Sequence, residues 1–453
     1  MRDRYFDRST GSARPPRGLA ALDGLRGIAC IFVFNFHFLF TYSKIPFYGY
    51  GVEIEGRDYT WIHQLPFLRL ITSGRAMVTV FFVISGYVLS IKPLKLIRER
   101  RYDELLSNCS SSLFRRGPRL YLPTICSTFL VMLAVQLGCF TYATEVRHDG
   151  RTIKGMNEEH PPILKTFGSQ FADWFATVST WCSPWNWDLS FNVYDPHLWT
   201  VPLEFRSCMV LYLAIIATAR ARPAYRISIV SALIIFCIRW DRWELVLFLS
   251  GFVTAEVDQL LSISSPSAST SDDPSLPTRS LSSSEKPTIA GSSKWRWFLV
   301  FIMGLYCLSC PDEKPHKTPG YRTLIAMTPW GYRIPRRFWH TVGGFMVMCA
   351  INHSTTLRKP FLSKIPQYMG KISFSFYIVH GPILHSLGYS IMPTIWDLTG
   401  GYHSDFGFAV GWMVGWCILF PTAIWAADLF HRVIEMPSDR ASRWMESKAR
   451  GTD

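Results

Sequence analysis

Charge is what this sequence has least of. Of its 453 residues 18% are Asp, Glu, Lys or Arg and 49% are hydrophobic, a balance too apolar for a soluble protein of this length. A hydrolase elbow is missing too: VISGY around Ser85 lacks the first glycine of GxSxG, so Ser85 is not assigned as a nucleophile. Cys307 and Cys310 form a lone CxxC with no second pair or histidine cluster in sequence, and no metal ligand is assigned. Most other cysteines fall inside apolar stretches, where a thiol behaves as a small hydrophobe. The Arg-rich start, MRDRYFDRSTGSARPPRG, has no apolar core followed by a small-residue cleavage site, which argues against a signal peptide. No internal repeat relates the two halves, unlike many transporters.

What is present is length without charge. About ten stretches approach the roughly 17 to 25 apolar residues that cross a bilayer: 25-43, 76-92, 120-141, 197-218, 224-240, 243-258, 295-310, 339-355, 371-392 and 406-430. The expected fold is all-α, a polytopic membrane protein with about ten transmembrane helices. A cytosolic amino terminus puts 92-119, with eight basic and three acidic residues, on the cytosolic side; loop 142-196, with seven acidic and four basic, faces the other. Loop 311-338, with six basic residues, breaks that pattern. The net charge of +14 then reads as topology, with the bilayer as partner and no nucleic acid. The expected organisation is a basic cytosolic tail over 1-20, one membrane domain over 21-261 and 294-435, and a second cytosolic tail over 436-453. Between the two parts, 262-293 is a Ser/Pro-rich linker with too few apolar residues to order itself.

Polar residues inside the apolar stretches carry the chemistry, because an ionisable group in a bilayer is costly and marks function by default. The first stretch holds Asp23, Arg26, Asn35 and His37. Eleven residues at about 100° each bring Arg26 and His37 to one helix face, roughly 16 Å apart along the axis. That is the reach of an extended pantetheine arm. Arg26, at the cytosolic edge, suits a phosphate, and His37, near mid-membrane, suits a proton. In the fourth stretch His197 and Glu204 share a face, and Glu204 is placed to orient a catalytic histidine. In the ninth, Ser373, Tyr377 and His380 form a polar stripe at i, i+4 and i+7. The depths of His37, Glu204 and His380 allow all three to meet.

The strings LDGLRGIA with His37 after ten further residues, GRxxVxxFFVISGY, HLWTVPLEF and GKISFSFYIVHGP, in this order, resemble the membrane-bound acyltransferase-3 family, especially its fungal branch. The resemblance runs from about residue 20 to 435. It implies an acyl-CoA donor, often acetyl-CoA, and O-acylation of a hydroxylated acceptor, with no tightly bound cofactor. By motif, Arg26 and His37 match the family's RX10H pair, Arg75 its second-motif arginine, Glu204 its motif carboxylate and His380 its late histidine. Arg26 and Arg75 are thus expected to bind the donor, His37, Glu204 and His380 to be catalytic, and His197, Tyr377, Ser373 and Asn35 to support the acceptor. The topology puts Arg75 at the non-cytosolic end of its span, so a CoA contact there requires 58-75 to fold back. The fungal likeness points to a small secondary metabolite as acceptor and to the endoplasmic reticulum or another endomembrane. The competing expectations are a transporter or an acyl-group translocator using the same buried His and Glu residues.

Overall fold

The structure, a computed structural model, describes residues 17-54, 56-264 and 290-451. Most of the amino-terminal tail and the linker core at 265-289 lie outside the described residues. Ten helices of 17 residues or more stand among those described: α1 (Arg17–Phe40), α2 (Gly74–Arg98), α3 (Tyr102–Gln136), α4 (Thr200–Thr218), α5 (Pro223–Arg239), α6 (Trp243–Ser264), α7 (Ala290–Leu308), α8 (Pro335–His353), α9 (Lys364–Ile383) and α10 (Asp405–Phe430). Each apolar stretch coincides with one of them. Among the described residues, five segments are long and apolar enough to cross a membrane: Gly18–Phe40, Gly74–Arg98, Tyr102–Gln136, Pro196–Thr218 and Asp405–Arg450. The fold is therefore helical and membrane-type, with a narrower set of clear spans than the ten expected. Strand among the described residues is confined to one hairpin, Val52–Ile54 with Arg57–Tyr59, and an isolated bridge at Asn192 and Asp195.

Glycines set the closest helix crossings. A Cβ on Gly27 of α1 would fall on the backbone at Pro366 and Gly370, and one on Gly370 would fall on the carbonyl of Asp23. Small residues let backbones approach closely where lipid offers no hydrophobic drive for association. This explains the glycines of LDGLRG and of GKIS. α1 and α9 run in the same direction from that crossing, so ten residues further on His37 arrives beside His380. Gly86 of α2 and Gly251 of α6 meet in the same manner, a packing role for the Ser85-Gly86 pair.

Loops close the end of α1 that carries His37. Gly155 N donates to Thr41 O (3.0 Å) and Met156 N to Phe40 O (2.8 Å), laying the 148-160 segment over the helix terminus. Arg69, buried, donates to the carbonyls of Ser309, Cys310 and Pro46 at 2.8, 3.0 and 2.9 Å, so segment 58-73 is held against the 45-47 turn and the end of α7. Two of the unforeseen elements are helices. Phe167–Trp181 is a helix inside the long 142-196 loop, and the expected carboxyl-terminal tail is a helix, Met436–Arg450, tied to α3 by Arg115 and Glu446 at 3.0 Å.

Candidate active site

One cavity of about 330 Å³ runs between α1, α2, α4 and α9. Arg26, Ser85, Glu204 and Ser373 line it, as do His37, Arg75, Glu158, His197 and Tyr377. Arg26 and His37 thus share a wall, as their spacing requires. Their places along the helix follow from its bounds. α1 ends at Phe40, so His37 sits one turn from the helix terminus, beneath the loops, and Arg26 lies nearer the helix middle. Arg26 has an ion-pair partner at 3.8 Å in Asp23 and stays about one-third exposed.

Around His37 the structure gathers histidines from separate segments. The His37 ring meets His197 edge-on at 4.0 Å between centroids and His380 at 5.2 Å; His197 and His380 are 4.9 Å apart. His197 belongs to a short 3-10 turn, Pro196–Trp199, capped by Asp195. One Asp195 oxygen accepts from the His197 backbone N–H at 3.2 Å and lies 3.1 Å from its Nδ1. On the ring's other side, Nε2 is 3.1 Å from Glu158 Oε2, an ion-pair distance without hydrogen-bond alignment. The same Glu158 oxygen lies 2.8 Å from Nε2 of His385. A π-helical turn, Leu384–Gly388, follows α9 and carries His385; such turns re-aim side chains and recur at functional sites. Burial works to raise the Glu158 pKa, but His197 and His385 against its oxygens hold it well below the usual carboxylate range.

Tyr377 donates to the His197 carbonyl and lies 2.8 Å from Thr200 Oγ1, locking α9 to the start of α4. Gly381 leaves room for that turn: a Cβ there would run into His197 Nδ1 and stand 2.8 Å from Asp195 Oδ1. Both ring nitrogens of His197 are held, so the ring has little freedom to retreat. Gly381→Ala is therefore expected to displace His197 and lower turnover by about 10²-fold, the usual consequence of a misplacement near 1 Å, with a stability loss of only about 1 to 3 kcal/mol. Steady-state rates alongside thermal melts of the full-length variant check this.

Three expected residues stand elsewhere than the sequence reading puts them. Glu204 does not reach the histidines; it ion-pairs with Arg116 of α3 and accepts from Ser85 Oγ at 3.3 Å. Arg116, 88 residues earlier, supplies the half-buried carboxylate with a permanent cation, leaving Asp195 and Glu158 to face the histidines. Arg75 stacks over Phe36 and Phe47, at 5.9 and 5.4 Å to the ring centroids, beside His37 and far from Arg26. Both arginines line the one cavity, Arg75 at its His37 end. Asn35 turns away from the cavity and accepts from Trp416 Nε1 at 2.8 Å. Ser373 lines the cavity and donates to Gly370 O at 2.9 Å. Asp195, Glu158 and His385 were missed. The only local signals were the Asp-Pro pair before His197 and the second histidine, five residues after His380.

Comparison with known proteins gives a consistent picture. The family model of the acyltransferase-3 type, described as an acyltransferase domain, matches residues 19–432. An O-acetyltransferase from Phomopsis amygdali, PaAT-1, is 29% identical over 93% of this chain and 83% of its own length. Acyltransferase clz18 of Cochliobolus lunatus is 27% identical over 93% of this chain and 94% of that protein, and acyltransferase R4 of a Phoma species 25% identical over 94% and 95%. No solved structure matches.

Proposed function

Since the chain belongs to the acyltransferase-3 family and is an acyltransferase, we propose that it moves an acyl group, in the first instance acetyl, from acyl-CoA to a hydroxyl of a small secondary metabolite. The observation carrying this reading is the single cavity that Arg26 and His37 line together, with a spacing of roughly 16 Å by helix rise. Donor phosphates held at Arg26 present the thioester at His37. The name of the Phomopsis relative supports acetyl over longer acyl groups. Further parts of the same reading are ten helices crossing an endomembrane such as the endoplasmic reticulum, one membrane domain interrupted by the Ser/Pro tract, and no tightly bound cofactor.

In this mechanism His37 takes the proton of the acceptor hydroxyl as its oxygen attacks the thioester carbonyl. The new C–O bond forms, the C–S bond breaks, and the proton passes from His37 to the departing CoA thiolate. His197, braced by Asp195 and Glu158, stands edge-on to the base, and the two carboxylates favour the positive charge that develops on the histidine pair. Tyr377 and Thr200 fix the His197 turn. Arg75, beside His37, contacts the acceptor or acyl side of the reaction. Loops 41-73 and 148-160 keep water from competing for the acyl group.

Arg26→Gln tests the donor's placement. Loss of a charge-assisted phosphate contact of about 1.5 to 3 kcal/mol is expected to raise the KM for acetyl-CoA by about 10- to 100-fold, with kcat little changed. An unaltered KM removes Arg26 from donor binding. Release of CoA thiol that depends on an acceptor separates the enzyme from a transporter, which moves labelled solute in proteoliposomes without consuming thioester.

A further inference from the structure

Three buried imidazole nitrogens converge beside the cavity with no hydrogen-bond partner among the described residues: His37 Nδ1, His197 Nε2 and His380 Nε2. One nitrogen from each ring lies within 4.8 Å of the others. His380 is 1% exposed and does not line the cavity, so its free nitrogen has no substrate to meet. It points instead toward the other two rings.

The remaining nitrogens are already fixed. His197 Nδ1 faces Asp195 at 3.1 Å, and His380 Nδ1 donates to the carbonyl of Tyr377 at 2.7 Å. The His380 bond selects the tautomer in which Nε2 carries a lone pair, whereas His197 Nε2 faces Glu158 and offers its lone pair to an ion by giving up a proton. An imidazole whose second nitrogen is held by a carboxylate or a backbone carbonyl is the usual outer-shell arrangement of a metal-ligating histidine. Glu158, 3.1 Å from His197 Nε2, adds an anionic oxygen at the same point and links a second trio with His385. Buried nitrogens without a hydrogen-bond partner call for a cation or an ordered water to join them.

We propose that His37, His197 and His380 form a binding site for a transition-metal dication of the Zn²⁺ class, and that the ion competes with the reacting proton for His37. Imidazole donors select zinc, cobalt, nickel or copper over magnesium and calcium. Metal–nitrogen bonds of about 2.0 to 2.1 Å require the rings to draw together slightly. A coordinated imidazole has no free lone pair, so the ion-bound protein has lost its base. No such site is legible in the sequence because its ligands come from three segments without a short metal-ligand spacing.

Full-length protein carrying a histidine-free affinity tag is stripped with chelator and titrated with Zn²⁺ or Mg²⁺. One Zn²⁺ per chain is expected, without Mg²⁺ binding, and His380→Ala and His380→Gln are each expected to weaken Zn²⁺ at least about tenfold, within the range for a lost ligand. Co²⁺ added to the wild-type protein is expected to give a visible ligand-field band, which needs no variant to fold. Absence of saturable Zn²⁺ binding, or binding indifferent to both His380 variants, overturns the site. Acyl transfer is expected to fall as occupancy rises and to return with chelator; undiminished turnover at full occupancy overturns the competition. Protein that binds Zn²⁺ through His380 yet never releases CoA thiol refutes the proposed reaction and leaves the metal site standing.

Discussion

Replacing His37 with alanine is expected to lower acyl transfer by about 10²- to 10⁴-fold, the range general base catalysis contributes, while the protein still folds and binds acyl-CoA. The folding half of this expectation follows from the site. His37 lies in the last turn of α1, its Nδ1 makes no hydrogen bond, and alanine is the best helix former. Packing against Phe36, Phe40, His197 and His380 is lost, but no buried partner is stranded by it. On the proposed reading, donor binding is governed some three turns away at Arg26. The loss therefore belongs in kcat, with the KM for acyl-CoA nearly unchanged. His37→Gln, which keeps a polar side chain without a basic nitrogen, is expected to be nearly as poor. Retained turnover in either variant removes His37 from the chemistry.

Glu204→Ala is expected to destabilise the protein by about 3 kcal/mol, the lower end of the range for breaking a buried ion pair. Its side chain is 23% exposed and that of Arg116 is 14% exposed, so solvent in the cavity softens the penalty but leaves Arg116 without a counter-charge. The expected signature is a lower melting temperature with turnover per folded molecule within about threefold of wild type. A residue that oriented His37, the role its motif position implies, would give the opposite pattern of intact stability and collapsed kcat. The paired change Arg116→Met with Glu204→Leu is expected to recover much of the stability, since apolar residues of similar volume commonly replace a buried ion pair at little cost. If the double variant melts as low as Glu204→Ala alone, the ion pair is not what Glu204 contributes.

These two residues mark where the sequence was informative. His37 and Arg26 sit on one helix, and within a helix a spacing of eleven residues dictates a shared face. The apolar stretches likewise became helices, and the motif glycines mark the crossings that bring α1 to α9 and α2 to α6. Glu204 was misjudged because its partner lies on another helix. Nothing in a linear pattern distinguishes Arg116 from the other arginines of 92-119. Asp195 and Glu158 come from loops, where no periodicity reveals direction. His385 faces Glu158 because of a π-turn that sequence does not announce. The end of the first helix was misplaced for a simpler reason. Apolar residues continue past Phe40, but the chain leaves the helix there and folds under the 148-160 segment.

The central claim is acyl transfer to a hydroxyl with His37 as base. Mass spectrometry of intact metabolites from cells that express the wild-type chain, the His37→Ala chain or neither tests it most directly. The wild-type cells alone are expected to contain a metabolite heavier by one acyl group than its hydroxyl-bearing precursor, with the precursor accumulating in the other two. Identical metabolite profiles in all three, or the acylated species at wild-type level with His37→Ala, would contradict it.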